Sequence, residues 1–107
     1  VYTNSNTNHC NLCLDIMNIK NKFNKIVTRD NNKMKPYIES YVNFMNINNI
    51  KSNDTCIFFE DTEINLFVAK KFGWITVYIG EKNSKPYIDF SFITIHEALE
   101  YFIKNKL

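Results

Sequence analysis

Polar side chains that could bind phosphate and a metal ion follow two predicted strands of the sequence. Thr3 and Asn4 come directly after a short apolar start, and Glu60 and Asp61 follow the apolar run at 56–59. Parallel strands bring their carboxyl ends to the same edge of a sheet, which is where open α/β sheets bind ligands. We therefore expect the hydroxyl, the amide and the two carboxylates to lie at one edge.

A lysine completes this set. Lys35 lies just before a predicted helix, where free N–H groups favour an anion. Mg²⁺ accepts one or two carboxylates together with waters, and a lysine and a hydroxyl stabilise charge on a transferring phosphoryl group. Simpler interpretations stay open for each group. Thr3 can cap a helix, Lys35 can be solvated with Lys33 as its rival, and the acids Glu60 and Asp61 can favour a helix dipole.

The elements that must position these residues alternate along the chain. Strands are predicted at 1–3, 23–28, 56–59 and 74–79, with a further short extended piece at 87–93, and the run at 56–59 is expected to be buried on both faces. Helical stripes follow the four strands, at Cys10/Cys13/Leu14/Met17, Ile38/Tyr41/Val42/Met45, Ile64/Phe67/Val68/Phe72 and Ile95/Leu99/Phe102/Ile103. This alternation predicts an α/β fold with a parallel sheet covered by helices on both faces.

Residues typical of helix ends support these boundaries. Ser5 or Asn6 is expected to cap the first helix, and Pro36 suits the first turn of the second. Gly73 stands where a left-handed cap would end the third helix. Thr94 opens the last helix, whose stripe is expected to be buried, through a capping box.

Composition excludes several classes of protein. The chain has 107 residues, of which 45% are hydrophobic, so it suits one domain with an ordinary core. A formal net charge of +2 argues against nucleic-acid binding, and two glycines cannot supply a P-loop. The sequence has no long apolar run, and its three cysteines disfavour a disulfide framework. We expect a cytoplasmic protein that does not enter a membrane.

The motifs, taken in order, resemble those of a known family. The chain is similar to the haloacid dehalogenase-like hydrolases in their second, third and fourth motifs, and is nearest to the pyrimidine 5′-nucleotidase-like branch. The similarity is carried by Thr3-Asn4-Ser5, Lys35-Pro36, Phe58-Phe59-Glu60-Asp61-Thr62-x-x-Asn65, Ala69-Lys70-Lys71-Phe72-Gly73-Trp74, Tyr87-Ile88-Asp89-Phe90 and Ile95-His96-Glu97-Ala98-Leu99. The resemblance implies a Rossmann-like fold.

The resemblance also implies roles for individual residues. Thr3 and Lys35 would be catalytic: the Thr3 hydroxyl hydrogen-bonds the phosphoryl oxygens, and Lys35 neutralises charge between the nucleophile and the phosphoryl group. Asn4 would join them in phosphate binding. Asp61 would bind Mg²⁺ beside Glu60, which stands where the family more often has aspartate. Asn65, the third residue of the metal site, would orient the water shell of the metal or the loop around it.

The family's first motif, apolar residues followed by Asp-x-Asp, does not occur in the sequence. The resemblance therefore implies that residues 1–107 are one partial core domain holding motifs II to IV. The nucleophile strand and any cap domain are expected upstream, so that an upstream segment or a second chain completes the sheet.

The function implied is Mg²⁺-dependent hydrolysis of a phosphomonoester through an aspartyl-phosphate. The expected substrate is a small phosphorylated metabolite, with a pyrimidine nucleoside monophosphate as the candidate. The alternative is a non-catalytic relative that serves as a binding or interaction domain. Cys10 and Cys13, with His9 beside them, could suggest zinc, but both cysteines fall on an apolar helical stripe and are interpreted as core.

Overall fold

A computed structural model describes residues 1–105 of the chain. It divides into two compact units, Val1–Ser52 and Asn53–Leu107. Among the described residues, no helix is both long enough and apolar enough to cross a lipid bilayer.

The first unit holds two helices and a minimal strand pair. Helix α1 spans Thr7–Ile16, and Asn6 caps it by accepting a hydrogen bond from the N–H of His9, so the prediction of a cap at Ser5 or Asn6 is confirmed at Asn6. A single 3₁₀ turn follows at Lys20–Lys22, and helix α2 spans Ile38–Ile47. Pro36 precedes α2 and is not part of its first turn, because the helix begins only after Tyr37.

The two strands predicted in this unit are shorter than expected. Only one parallel bridge forms, between Tyr2 and Val27, flanked by the hydrogen bonds Thr3 N–H to Val27 O (3.0 Å) and Val27 N–H to Val1 O (2.8 Å). The polar residues at 24–25 offer little apolar surface to bury, so the pairing does not extend. The parallel direction of the pair is as predicted.

Aromatic packing makes the core of the first unit. The Tyr2 ring stacks on Phe44 with 4.3 Å between centroids and meets the edge of Tyr41 at 5.8 Å. Tyr41 is fully buried, whereas Ile38 and Val42 of the predicted stripe remain exposed. Helix α2 therefore buries fewer residues than its apolar stripe contains.

The second unit is a three-stranded parallel sheet with two helices. The strands are β1 (Ile57–Glu60), β2 (Ile75–Ile79) and β3 (Phe90–Phe92), paired in the order β1-β2-β3. Helix α3 spans Glu63–Lys71 and α4 spans Ile95–Lys104. The predicted α/β class with a parallel sheet is confirmed.

The helices of this unit cover opposite faces of the sheet. Successive side chains of a strand point to opposite faces, so Phe59 lies on the other side from Phe58 and Glu60. The Phe59 ring meets Phe102 of α4 at 5.7 Å, whereas Glu60 binds Asn65 of α3. Helices on both faces are therefore present as predicted.

Both helix boundaries predicted from end residues in this unit are confirmed. Gly73 has φ +77°, the left-handed conformation that ends α3, and the Thr94 hydroxyl accepts from the N–H of Glu97 at the start of α4. A side chain at Gly73 would meet no atom within 4 Å, so its requirement is conformational.

Two predictions of burial are wrong. Ile57 is 38% exposed, because β1 pairs with β2 alone in the sheet that the described residues form. In the stripe of α4, Ile95 and Leu99 are exposed and Ile103 is 76% exposed. This helix meets the short β3; Ala98 is its buried residue, and Phe102 packs against the ring of Phe90 on β3.

Candidate functional site

The carboxylate of Glu60 organises the end of β1 and the start of α3. Its Oε2 accepts hydrogen bonds from the N–H groups of Asp61 (2.8 Å) and Thr62 (3.0 Å). Its Oε1 accepts from the side-chain amide of the buried Asn65 (3.0 Å). Glu60 thus satisfies N–H groups at a helix start where Thr62 supplies no side-chain cap.

Asp61 is exposed beside this fixed carboxylate. A hydrogen bond between the carboxyl groups of Asp61 and Glu60 raises the pKa of Asp61, and burial and the negative charge of Glu60 raise it further. Two carboxyl groups this close favour one proton between them or a cation beside them. Asp61 also accepts a long hydrogen bond from the Thr62 hydroxyl (3.4 Å).

The donor set at this strand end suits Mg²⁺. The ion is bound through one or two carboxylates, with waters and substrate phosphate in its other positions. No group of three or more His, Cys, Asp or Glu side chains placed to hold a metal occurs within residues 1–105, and such a cluster is not what Mg²⁺ requires. The adjacent acids Asp61 and Glu60 would hold the ion. The side-chain amide of Asn65 donates a hydrogen bond to the carboxylate of Glu60.

Asn4 and Lys35, predicted to bind phosphate together, are in direct contact. The side-chain Oδ1 of Asn4 accepts from the N–H of Lys35 (2.8 Å), and its Nδ2 donates to the Lys35 carbonyl (3.0 Å). The Lys35 ammonium donates to the carbonyl of Tyr2 (2.8 Å) and lies 4.4 Å from the centroid of the Tyr2 ring. Lys35 is only 7% exposed, which is unusual for lysine.

Lys33, the rival of Lys35 for the same role, is in a different environment. Its ammonium forms an exposed ion pair with Glu39 at 2.9 Å. The hydrogen bond with Glu39, supported by its charge, raises the pKa of Lys33. Of the two lysines, Lys35 is the one held in place by buried contacts.

Thr3 makes a local turn. Its hydroxyl donates to Ser5 Oγ (3.1 Å) and accepts from the N–H of Ser5 (3.1 Å). It does not cap α1, since Asn6 does so. Thr3 directly follows Tyr2, whose carbonyl accepts a hydrogen bond from the Lys35 ammonium.

The cysteines of the first unit are consistent with packing. Cys10 is buried on α1, and Cys13 contacts the Nε2 of His9 at 3.5 Å. With Thr3, these three residues help line a cleft of about 250 Å³. A structural zinc ion needs four ligands, and among the described residues no group of even three His, Cys, Asp or Glu side chains is placed to hold a metal.

Sequence reasoning missed the part played by Tyr2. Its carbonyl and its ring both contact Lys35, and its hydroxyl hydrogen-bonds Ser40 of α2. An aromatic residue directly before Thr3 was the available signal, but strand position alone does not indicate a contact with a lysine.

Comparison with known protein families agrees with the motifs. The family model described as haloacid dehalogenase-like hydrolase matches residues 1–79, a span that ends with β2 and includes every candidate site residue discussed above. The match extends over most of the 107 residues. The chain belongs to the haloacid dehalogenase-like hydrolase family.

Proposed function

We propose that this protein is an Mg²⁺-dependent phosphomonoester hydrolase. The observation that carries the proposal is the pair of adjacent carboxyl groups, Glu60 and Asp61, at the carboxyl end of a parallel strand in a member of this hydrolase family. Glu60 is fixed by three donors, so Asp61 is held at a defined place relative to the sheet.

Asp61 would be the direct metal ligand, with Glu60 beside it. Mg²⁺ would neutralise charge on the phosphoryl oxygens during transfer. Asn65 supports this arrangement by donating to Glu60 from the buried face of α3, which fixes the carboxylate next to Asp61. The hydrogen bonds around Glu60 support these roles of Asp61, Glu60 and Asn65.

In the first unit, Lys35, Thr3 and Asn4 would act on the phosphoryl group. The Lys35 ammonium supplies positive charge, and the Thr3 hydroxyl can donate to a phosphoryl oxygen in place of its bond to Ser5. Asn4 positions Lys35 through two backbone hydrogen bonds. Fixed charges and donors are the main source of catalysis in phosphoryl transfer.

The proposed reaction proceeds in two steps. A carboxylate oxygen of the family's first-motif aspartate attacks phosphorus, the bond from phosphorus to the leaving oxygen breaks, and a second aspartate gives that oxygen a proton. Water then attacks the aspartyl-phosphate, loses a proton to the same second residue, and releases inorganic phosphate. Residues 1–107 contain no Asp-x-Asp motif, so both aspartates would be supplied from outside this sequence.

The proposed substrate is a small phosphorylated metabolite in the cytoplasm, with a pyrimidine nucleoside monophosphate as the first candidate. This choice rests on the similarity to the pyrimidine 5′-nucleotidase-like branch. A non-catalytic binding domain is the competing function, and the same experiment separates the two.

The test is phosphate release from p-nitrophenyl phosphate and from nucleoside monophosphates by the native protein, with and without Mg²⁺. We expect Mg²⁺-stimulated hydrolysis that Asp61→Asn lowers by at least about 100-fold, because a charged ligand becomes neutral. Glu100→Gln, on the exposed surface of α4, is the matched control and should retain full activity. Asp61→Asn with wild-type activity would remove Asp61 from the site. A folded native protein that hydrolyses no phosphomonoester would favour the binding domain.

A further inference from the structure

A cleft of the first unit has no role in the proposed chemistry. It lies on the connection between Val27 and α2 and has a volume of about 440 Å³, within the range of small-molecule sites. Its lining residues are Arg29, Asp30, Asn32, Lys33, Met34 and Tyr37. Apart from Lys33, which is the rival of Lys35, none of these is among the residues to which the family resemblance gives a role.

Two polar side chains of the cleft are already committed to the fold. The Asp30 carboxylate accepts from the N–H of Thr7 at the start of α1 (2.7 Å), and this bond lowers the pKa of Asp30. The Asn32 amide donates to the Ser40 carbonyl (2.9 Å) and accepts from the neighbouring N–H of Lys33 (2.7 Å). Both side chains therefore shape the wall of the cleft.

The charged side chains that line the cleft are two cations, Arg29 and Lys33, and one carboxylate, Asp30. Lys33 is paired with Glu39 at 2.9 Å. Within residues 1–105 the guanidinium of Arg29 forms no hydrogen bond or ion pair, although its positive charge helps to lower the pKa of the neighbouring Asp30. The backbone of Arg29 is fixed, since its N–H donates to the Ser5 carbonyl (3.2 Å). A guanidinium offers only donors, arranged in a planar fork that suits a carboxylate or phosphate.

The apolar part of the cleft is accessible to solvent. The side chain of Tyr37 is 67% exposed and that of Met34 is 44% exposed. Tyr37 forms no ring contact with the aromatic side chains of residues 1–105, although most tyrosines of this chain do. An aromatic face and a polarisable thioether that line the same cleft suit the face of a planar ring.

We propose that this cleft binds a small planar aromatic anion, with the negative group on Arg29 and the ring stacked on Tyr37. The ligand has two possible sources: the leaving group of an aryl phosphomonoester substrate, which would be a different substrate from a nucleoside monophosphate because a nucleoside is neutral, or a separate effector molecule. Both sources would present a planar aromatic ring and a negative group to the cleft. The proposal concerns binding and does not depend on whether the protein is a phosphatase.

The test uses probes without phosphate, so that hydrolysis cannot obscure binding. Benzoate is titrated into the ¹⁵N-labelled native protein and followed by amide chemical shifts. Cyclohexanecarboxylate keeps the charge without the aromatic ring, and benzamide keeps the ring without the charge. We expect saturable shifts at residues 29–37 and an affinity for benzoate at least about threefold above either analogue.

Variants of the two key residues separate their contributions. Arg29→Gln should weaken benzoate binding by about tenfold or more, and Tyr37→Leu should remove the preference for benzoate over cyclohexanecarboxylate while Tyr37→Phe keeps it. Lys20→Gln, which removes an exposed charge outside the cleft, is the control and should bind as the wild type does. All of these side chains are exposed, and circular dichroism verifies that each variant is folded.

The results that would overturn the proposal are an absence of saturable shifts at residues 29–37 or equal affinity in the wild type and Arg29→Gln. The source of the ligand is decided by kinetics. Competitive inhibition of p-nitrophenyl phosphate hydrolysis by benzoate would assign the cleft to the substrate's leaving group. Binding with an unchanged KM would assign it to an effector. A protein without phosphatase activity that still binds benzoate would refute the proposed function and support this one.

Discussion

The side chain of Asn4 forms two hydrogen bonds with the backbone of Lys35, a residue 31 positions later in the chain. The amide accepts from the N–H and donates to the carbonyl, as a neighbouring strand would. One side chain thus positions the loop that leads into α2 and fixes the backbone from which the buried Lys35 ammonium reaches Tyr2.

We predict that Asn4→Ala lowers the free energy of unfolding by about 2 kcal/mol, because two hydrogen bonds to the backbone are lost. Asn8→Ala, on the exposed face of α1, is the matched control and should change it by less than about 0.5 kcal/mol. Urea unfolding followed by circular dichroism measures both. Equal stability of the two variants would show that the contact with Lys35 contributes nothing.

The second prediction compares Glu60, whose carboxylate holds the start of α3, with Asp61, the proposed metal ligand. In Glu60→Gln the new NH₂ group must face either the N–H groups of Asp61 and Thr62 or the Asn65 amide, which are all donors. We expect a loss of about 2 kcal/mol in the free energy of unfolding. Asp61→Asn, whose side chain is exposed, should change this free energy by less than about 0.5 kcal/mol.

Thermal unfolding without added metal compares these two variants directly. The result also helps to interpret the activity test. If Asp61→Asn is as stable as the wild type, its loss of activity is caused by the missing carboxylate and not by unfolding. If Glu60→Gln were as stable as the wild type, the three hydrogen bonds that fix Glu60 would not hold α3 in place.

Asp89 carries a prediction about pH. Burial raises the pKa of Asp89, but the hydrogen bond from Lys70 and the N–H of Thr76 outweigh it, so that the pKa in the folded state lies below the ordinary value of 3.8. The unfolded chain therefore binds this proton more readily. The stabilisation is present above pH 3.8 and is lost as the pH falls through the lower, folded-state pKa.

The measurement is urea unfolding at a series of pH values. Asp89→Asn should be less stable than the wild type at pH 7, and the difference should shrink as the solution is acidified below about pH 4. Asp15→Asn, on the exposed side of α1, serves as the control. A difference between wild type and Asp89→Asn that stayed constant down to pH 2 would contradict the role of the Lys70 ion pair.

The helices could be predicted from the sequence more securely than the strands. Helix spacing and end residues such as Asn6, Gly73 and Thr94 are local signals, and each was confirmed. Burial was less predictable, because the apolar pattern of α4 says which face is apolar and not how much sheet is available to cover it. Ile103 is the clearest case.

The candidate site was predictable in its residue types but not in its contacts. Adjacent acids after a strand indicated both a metal site and an interaction with the start of a helix. The structure adds that Glu60 makes the helix contact through the N–H of Thr62. The hydrogen bonds between Asn4 and Lys35 could not be predicted, because they depend on how a long loop closes and not on local spacing.

The register of the sheet has a consequence for folding kinetics. Ile57 pairs with Ile75 and Val77 pairs with Phe90, so the partners are 18 and 13 positions apart, whereas Tyr2 and Val27 are 25 apart. Short loops close at a lower cost in entropy, and proteins rich in local contacts fold faster. The three-stranded sheet should therefore form early in refolding, and the Tyr2–Val27 pair should be among the last contacts to become protected from hydrogen exchange.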